Sequence, residues 1–364
     1  MKNASMSAAA IATTLVLVSV MPSCGGEPPS DLVVSRIALG SCARQDRPMP
    51  IWSAVSTVKP DVLLMLGDNI YGDTEDMTVL RQKYDLLAAD RGFGMIRNTV
   101  PIIAVWDDHD YGANDSGHEY PKRRESQQVF LDFFKIPEDS VVRKRQGIYR
   151  AMVVGPVGRR VQFICLDTRF HRTPLASIPK DKRVKGLGLY VPTEDPGATI
   201  LGNQQWDWLA GMLQKPAEIR IILSSIQVAS AEHGWEHWGQ FPGERAKLLK
   251  TIREAEAAGV IVVSGDRHSA EISRIPAGDD ALPYPLYDLT ASSLNQPRKI
   301  DNDAEPNRCR LGERFHGANF GTIDIEWGTA DDGGLPAVTL AVHDVHGKVV
   351  RSETIPPGAL ELSK

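Results

Sequence analysis

Cysteine, excess positive charge and long apolar runs are all scarce in this sequence. Its 364 residues include four cysteines, and the three that follow position 24 are an odd set, so we predict no disulfide. The formal net charge is −5, and no long basic run is present. Proteins that bind nucleic acid mainly by electrostatics carry a strong basic excess. That class is therefore excluded, and no specific nucleic-acid binding is expected.

The apolar run from Ala8 to Val20 is shorter than the roughly 20 residues that a membrane-spanning helix needs. Lys2 precedes this run and small residues follow it, which is typical of an export signal. We therefore predict a signal over residues 1–24, a linker over residues 25–32, and an exported protein in the periplasm, at the cell surface or in the medium.

The residues that follow the apolar run, Met21-Pro22-Ser23-Cys24-Gly25-Gly26, resemble the processing site of a bacterial lipoprotein. In that interpretation Cys24 becomes the lipidated first residue and attaches the protein to a membrane. Met21 and Pro22 differ from the usual residues before such a cysteine, so plain secretion stays open as the alternative.

The rest of the chain has the pattern of a folded α/β domain. Hydrophobic residues make up 42% of the chain and charged residues 24%, enough for a large buried core. Short continuous apolar runs predict buried strands, and apolar residues three and four positions apart predict helices between them. The predicted strands are 33–39, 62–66, 102–105, 161–166, 219–225, 260–263 and 287–290, and the predicted helices are 77–89, 125–134, 203–213 and 243–257.

The C-terminal part, from Phe320 to Ile355, has the pattern of antiparallel strands joined by a turn. We therefore predict one α/β (α+β) domain over residues 33–364, a sandwich of two sheets flanked by helices. The long polar segments 167–200 and 295–315 are interpreted as loops around a site, because structureless linkers of that length are uncommon within a domain.

Four groups of polar residues each follow a predicted strand. They are Gly40-Ser41-Cys42, Gly67-Asp68-Asn69-Ile70-Tyr71, Asp107-Asp108-His109-Asp110 and Ser264-Gly265-Asp266-Arg267-His268. Ligands of open α/β sheets collect at the carboxyl ends of the strands, so residues far apart in sequence can meet there. This layout predicts a metal site.

Each group has a structural alternative when it is taken alone. Cys42 could be a buried thiol, Asp68 could end its strand in a turn, and Tyr71 could be an aromatic lid. A lone Asp-x-His, such as Asp266 and His268, is more often structural; in an extended segment both side chains would point the same way, with Arg267 facing elsewhere.

The group Asp107-Asp108-His109-Asp110 is the most informative of the four. Three carboxylates in four positions repel one another and shift their pKa values upward unless a cation neutralises them. A metal ion is the simplest such cation, and Asn114 and Asp115 offer further oxygen ligands on the following loop. A solvated acidic turn is the alternative.

Taken together, these groups resemble the PhoD-like alkaline phosphatase family, metallophosphoesterases of the calcineurin-like fold. The resemblance runs from Gly40 to at least Trp327 and includes Leu166-Asp167-Thr168-Arg169 and Gln204 with Trp208-Leu209. Many members carry a β-sandwich ahead of the catalytic domain. The short stretch between Cys24 and Val33 predicts the catalytic domain alone.

The resemblance implies a ferric ion held by a thiolate and a phenolate, with an aspartate bridging to one or two calcium ions. Other divalent metals are an alternative. Carried over to this sequence, Cys42 and Tyr71 hold iron and Asp68 bridges. Asp108, Asn114, Asp266 and His268 complete the metal shells.

Such a site predicts hydrolysis of a phosphoester, because clustered cations bind phosphoryl oxygens and activate water. His109 is predicted to protonate the leaving group, with support of a neighbouring ligand as the alternative. Arg169 is predicted to hold a phosphate oxygen, with an ion pair to Asp167 or Asp110 as the alternative. His233, Trp235, His237 and Trp238 are interpreted as a rim facing the substrate or as packing residues.

Two functions of different class follow. The first is an exported phosphomonoesterase or phosphodiesterase that releases phosphate from small organic esters or lipid head groups. The second is a metal- or ligand-binding surface lipoprotein without catalysis on the same scaffold. The complete set of Asp68, His109, Asp266 and His268 favours the enzyme.

Overall fold

The computed structural model describes residues 26–184, 187–278, 281–298, 305–328 and 334–362. The predicted export signal, including Cys24, lies outside these ranges. Of the predicted linker, residues 26–32 are described, and they form a bend and a turn ahead of the first strand. Within the described ranges, the helices are too short or too polar to cross a bilayer.

The described residues form two mixed sheets, in which parallel strands are flanked on one side or on both sides by antiparallel strands. The first has six strands in the order β13-β12-β11-β1-β2-β3, in which β1, β2 and β3 are parallel. Its strands are β1 (Arg36–Gly40), β2 (Val62–Leu66), β3 (Ile102–Val105), β11 (Asn319–Glu326), β12 (Ala337–Asp344) and β13 (Val349–Ile355).

The second sheet has seven strands in the order β10-β8-β9-β7-β6-β5-β4, and β5, β6, β7 and β9 form its parallel centre. Its strands are β4 (Arg150–Val154), β5 (Val161–Cys165), β6 (Ile219–Leu223), β7 (Val260–Ser264), β8 (Ala270–Ile275), β9 (Leu286–Ala291) and β10 (Arg310–Phe315). The strands β5, β6 and β7 are buried along their whole length, as expected for parallel strands covered on both faces.

Seven α-helices are described: α1 (Ile51–Thr57), α2 (Met77–Ala89), α3 (Arg91–Arg97), α4 (Asp108–Tyr111), α5 (Arg123–Phe133), α6 (Gly202–Leu213) and α7 (Pro242–Glu254). The start of α2 shows why they form where they do. Asp76 accepts hydrogen bonds from the N–H groups of Thr78 and Val79, which have no partner within the helix. Leu80, Tyr84 and Leu87 then bury one face at spacings of four and three.

The two sheets pack face to face. The first contacts the second through β11 against β9 and through β12 and β13 against β8. Gly321 permits the close approach, because a Cβ at that position would lie 3.2 Å from the Cβ of Ala291 and 3.0 Å from Leu39. At one edge Ser41, after β1, pairs in parallel with Ser292, after β9. The carboxyl ends of the parallel strands of both sheets therefore meet there.

These observations confirm the predicted fold class and the seven predicted strands, with boundaries shifted by up to three residues. The short helices α1 and α3 were not predicted, because seven residues hold too few turns for a periodic pattern. The prediction of a loop over 295–315 was wrong in part, since β10 lies within it. This edge strand is rich in Arg and Glu and only part-buried, so it lacks the apolar pattern of a strand.

Candidate metal centre

The polar groups that follow β1, β2, β3 and β7 lie together at the common edge of the two sheets. Three groups of side chains each bring ligand atoms within 4.8 Å of one another: Cys42, Asp68 and His268; Asp68, Asp108 and His109; and Asp107, Asp108 and Asp266. Asp68 and Asp108 each belong to two of these groups. Of the predicted metal ligands, Cys42, Asp68, Asp108, Asp266 and His268 therefore form one continuous cluster.

The backbone at this edge is left-handed at four predicted ligands. The φ angles are 56° at Cys42, 47° at Asp68, 66° at Asp266 and 54° at His268. Residues other than glycine seldom adopt such angles, and each costs of order 1–3 kcal/mol, so the surrounding fold must hold them in place. The extended conformation predicted for residues 266–268 was wrong. Arg267 consequently lines the same cavity as its two neighbours.

Gly67 explains how the ends of β2 and β3 come so close. Its φ is +94°, and a Cβ there would lie 2.5 Å from the Cβ of Asp107. The missing side chain thus permits the contact that places Asp68 beside Asp107 and Asp108.

One end of the cluster carries the softest ligands. The Sγ of Cys42 lies 3.4 Å from Oδ2 of Asp68 and 3.2 Å from Oγ of Ser292. The hydroxyl of Tyr71 lies 3.4 Å from the same Asp68 oxygen and 3.3 Å from Nε2 of His268. Burial raises the pKa of the Cys42 thiol to about 11 and that of Tyr71 well above its usual value. Both groups therefore need a nearby cation to ionise.

Three buried carboxylates supply oxygens at this site that have no hydrogen-bond partner among the described residues. They are Oδ1 of Asp68, Oδ2 of Asp107 and Oδ1 of Asp108. Burial raises the pKa of Asp68 well above its usual value, and the charges of Cys42 and Asp108 raise it further. Buried charged oxygens without partners are costly, and a metal ion would satisfy them. The donor set of thiolate, phenolate, imidazole and carboxylates therefore fits a metal centre.

His109 lies at the cavity with its ring 4.3 Å from that of Tyr71, centroid to centroid. Its Nδ1 lies 2.7 Å from a carboxylate oxygen of Asp73, so the orientation of the ring is fixed. Burial lowers the pKa of His109, but the charges of Asp108 and Asp68 outweigh this effect and raise the pKa to about 11. A bound metal cation would neutralise the charges of Asp108 and Asp68 in place of the protonated His109 ring.

Arg169 is fully buried behind the cluster and does not line the cavity. Its Nε donates to Asp107 at 2.6 Å, and its Nη1 donates to Glu236 at 2.7 Å. Burial raises the pKa of Asp107 to about 7, although the charge of Arg169 opposes this rise. The guanidinium thus holds Asp107 in place. Because Arg169 is buried, the predicted contact between its side chain and a phosphate does not fit the structure. Its ion-pair partners are Asp107 and Glu236, not Asp167 or Asp110 as the alternative predicted.

Asp110 faces away from the other carboxylates of its group. It accepts hydrogen bonds from the N–H groups of Asp68 and Asp107 at 3.2 and 2.7 Å. Because burial outweighs these hydrogen bonds, its pKa rises to about 7. Asp110 therefore fixes the loop geometry around the ligands.

A cavity of about 450 Å³ opens beside the cluster. Asp108, His109, Asp266 and His268 line it, together with the exposed side chain of Asn114. Asn114 donates to Asp115 at 2.7 Å. Further lining residues are Asp115, Leu189, Trp235, Glu236, Arg267, Gln296, Pro297 and Arg298.

Of the four residues interpreted as a rim, Trp235 lines the cavity, whereas His233, His237 and Trp238 are buried. Glu236, Ser292 and Arg298 also take part in or border the site, and sequence reasoning did not single them out. Ser292 follows β9 in the same way that the four recognised groups follow their strands. That position was the one signal that could have identified it.

A family model described as PhoD-like phosphatase matches residues 37–319. The chain belongs to the PhoD-like phosphatase family. Alkaline phosphatase D of Bacillus subtilis (strain 168) is 22% identical in an alignment of 268 positions that covers 60% of this chain and 42% of that protein. The chain therefore spans less than half the length of this relative.

Solved structures show the same fold. A structure of PhoD aligns with a TM-score of 0.66 and 18% identity, covering 94% of this chain and 75% of that one. A dimetal phosphatase from Danio rerio aligns with a TM-score of 0.50 and 13% identity, covering 91% and 99%. The two-sheet architecture is thus shared with PhoD and with a structure described as a dimetal phosphatase.

Proposed function

We propose that this chain is an exported, metal-dependent hydrolase of phosphoesters. The shared use of Asp68 and Asp108 by adjoining ligand groups supports this function, because it lets cations lie side by side at the cavity. Adjacent cations suit phosphoester hydrolysis, since both the attacking and the leaving oxygen develop charge. The membership of the PhoD-like phosphatase family points to the same chemistry.

The donor types support a ferric ion at Cys42 and Tyr71 and calcium at the oxygen-rich end. Thiolate and phenolate bind ferric iron, and Oδ2 of Asp68 lies 3.4 Å from both of them. Asp68 also belongs to the group with Asp108 and His109, which supports a bridging role. Asp108, Asn114, Asp266 and His268 would complete the metal shells, and the oxygen donors among them suit one or two calcium ions, which prefer oxygen ligands. Another divalent metal in place of calcium is the alternative.

When bound, such cations would offset the charge of the phosphoryl group and activate an attacking water. His109, which lines the cavity, would donate a proton to the departing oxygen. Asp73 accepts from its Nδ1, which leaves Nε2 as the nitrogen free to carry out the transfer. Arg169 keeps Asp107 in position through the buried ion pair, and Glu236 fixes the other side of the guanidinium.

Hydrolysis of p-nitrophenyl phosphate and bis(p-nitrophenyl) phosphate tests this function. Protein loaded with Fe³⁺ and Ca²⁺ should hydrolyse at least one of them, and the ratio of the two rates reports the preference for monoesters or diesters. Chelation should abolish the activity, and returning the metals should restore it. Folded, metal-loaded protein that hydrolyses neither ester would overturn the proposal and favour a binding protein on the same scaffold.

A further inference from the structure

The cavity beside the metal centre is larger than a phosphoryl group requires. Its volume of about 450 Å³ falls in the range of pockets that enclose whole small molecules. Four carboxylates line it, from Asp108, Asp115, Glu236 and Asp266. These carboxylates repel negative charge. A negatively charged leaving group can therefore lie only close to a positively charged group of the cavity.

Arg298 is held in a fixed place on the cavity wall. Its guanidinium carbon lies 4.1 Å from the centroid of the Trp235 ring, a cation–π contact. Its backbone N–H donates to the carbonyl of His268 at 3.2 Å, and Nδ1 of His268 lies 2.6 Å from the carbonyl of Gln296. The loop that carries Arg298 is therefore bonded twice to a predicted metal ligand.

The two arginines at the cavity differ in their pairing. Arg267 is buried and donates to Glu305 at 2.8 Å. Arg298 is half-buried, and among the described residues it makes no ion pair. Burial lowers the pKa of Arg298, and the neighbouring positive charge of Arg267 lowers it further. Arg298 thus presents a guanidinium that has no ion-pair partner among the described residues, although the negative charges of Glu305 and Asp266 act on it from a distance.

We propose that Arg298, stacked on Trp235, binds a carboxylate on the leaving group of the substrate. One guanidinium without an ion-pair partner among the described residues matches the single charge of a carboxylate and can bind it through two hydrogen bonds. This inference rests on the proposed phosphoester hydrolysis. In the reaction, water adds to phosphorus, the ester P–O bond breaks, and the leaving oxygen takes a proton to become the alcohol of a hydroxy acid.

The test compares 3-phosphoglycerate with glycerol 3-phosphate, which has a CH₂OH group in place of the carboxylate. Phosphate release gives kcat and KM for each ester. The unmodified protein should favour 3-phosphoglycerate. Arg298→Gln should lower kcat/KM for that ester by about 10- to 100-fold, mainly through KM, and should change glycerol 3-phosphate by less than about 3-fold. Arg298→Lys should restore part of the difference.

Arg124→Gln is the matched control, because Arg124 is exposed on α5 and does not line the cavity. It should leave both esters unchanged. An equal loss for both esters in Arg298→Gln, or no loss for either, would overturn the carboxylate subsite. If the unmodified, metal-loaded protein also fails to hydrolyse both p-nitrophenyl phosphate and bis(p-nitrophenyl) phosphate, the proposed function itself is overturned.

Product inhibition of the unmodified protein tests the subsite without any substitution. Glycerate should inhibit hydrolysis of p-nitrophenyl phosphate at about 10-fold lower concentration than glycerol, because only glycerate carries the carboxylate. Equal inhibition by the two compounds would contradict the assignment of Arg298.

Discussion

Asp68 is the residue at which the ligand groups of the site meet. Its place after β2 made it a candidate ligand in the sequence. The sequence did not show that its Oδ2 lies 3.4 Å from both Sγ of Cys42 and the hydroxyl of Tyr71. The proximity to Cys42 depends on β1 and β2 lying side by side, whereas Tyr71 follows Asp68 by three residues. Local sequence thus predicted the residue, and the pairing of strands determined its neighbours.

The first prediction concerns this residue. Asp68→Ala should lower the rate of phosphoester hydrolysis by more than about 100-fold. Loss of a residue that only supports a metal ligand costs at most about 100-fold, and loss of a shared ligand should cost more. The reason is that two ligand groups lose an oxygen at once. Steady-state rates and metal content measure the effect, and Asp207→Ala, on the exposed face of α6, is the control. Near-normal activity of folded Asp68→Ala would contradict the bridging role.

The second prediction distinguishes iron from zinc or calcium alone. Phenolate and thiolate transfer charge to ferric iron, so the metal-loaded protein should be coloured, whereas zinc with its filled d shell gives no such band. Tyr71→Phe removes the ligand oxygen but keeps the ring, and should abolish or shift the visible band. Cys42→Ser should shift it too, because a harder oxygen replaces sulfur.

Tyr149→Phe is the control for the colour, since Tyr149 packs against Trp208 and does not line the cavity. Its spectrum should match that of the unmodified protein. Active, colourless protein that contains no iron by elemental analysis would reject the iron assignment and leave the hydrolase proposal in place.

At the scale of elements, the turns after the parallel strands position the ligands. Left-handed φ angles at Cys42, Asp68, Asp266 and His268 direct these side chains into one cluster. The sequence showed that strands end at these turns but not the hand of the backbone. The energy that favours left-handed over extended backbone here comes from packing around the turn rather than from the residue itself.

The third prediction concerns the turn after β2. Gly67→Ala should lower the free energy of unfolding by about 1–3 kcal/mol, because alanine is strained at a φ of +94° and its Cβ would press on Asp107. It should also weaken metal binding by displacing Asp68. Denaturant unfolding and metal titration measure both effects.

Gly211→Ala is the matched control on α6. A Cβ there meets nothing within 4 Å, so alanine should raise stability by about 0.5–1 kcal/mol through its higher helix propensity. Similar changes in both variants would show that the effect at Gly67 is not caused by the close approach to Asp107.

At the scale of the whole molecule, the fourth prediction concerns export and attachment, which rest on residues outside the described ranges. In a bacterial host the protein should fractionate with membranes, and Cys24→Ala should release it or leave it unprocessed, because the cysteine is the predicted site of lipidation. Fractionation with immunodetection measures this. Unmodified protein found wholly in the soluble exported fraction would exclude lipidation and leave plain secretion.

The sequence by itself determined the parallel strands of both sheets, the longer helices and the residue types of the candidate site. Buried parallel strands need continuous apolar runs, and metal ligands need particular donor atoms, so both leave local signals. Asp68, Asp108, Asp266 and His268 were predicted as metal ligands in this way.

The tertiary structure alone decided which donors share a neighbour and which charges are neutralised. Asp107 and Arg169 are 62 positions apart, and Glu236 and Arg169 are 67 apart, yet each pair is bonded in the interior. The contact of the Arg298 guanidinium with the Trp235 ring likewise joins distant parts of the chain. Such contacts depend on how strands from distant parts of the chain are ordered in the two sheets, and local sequence carries no record of that order.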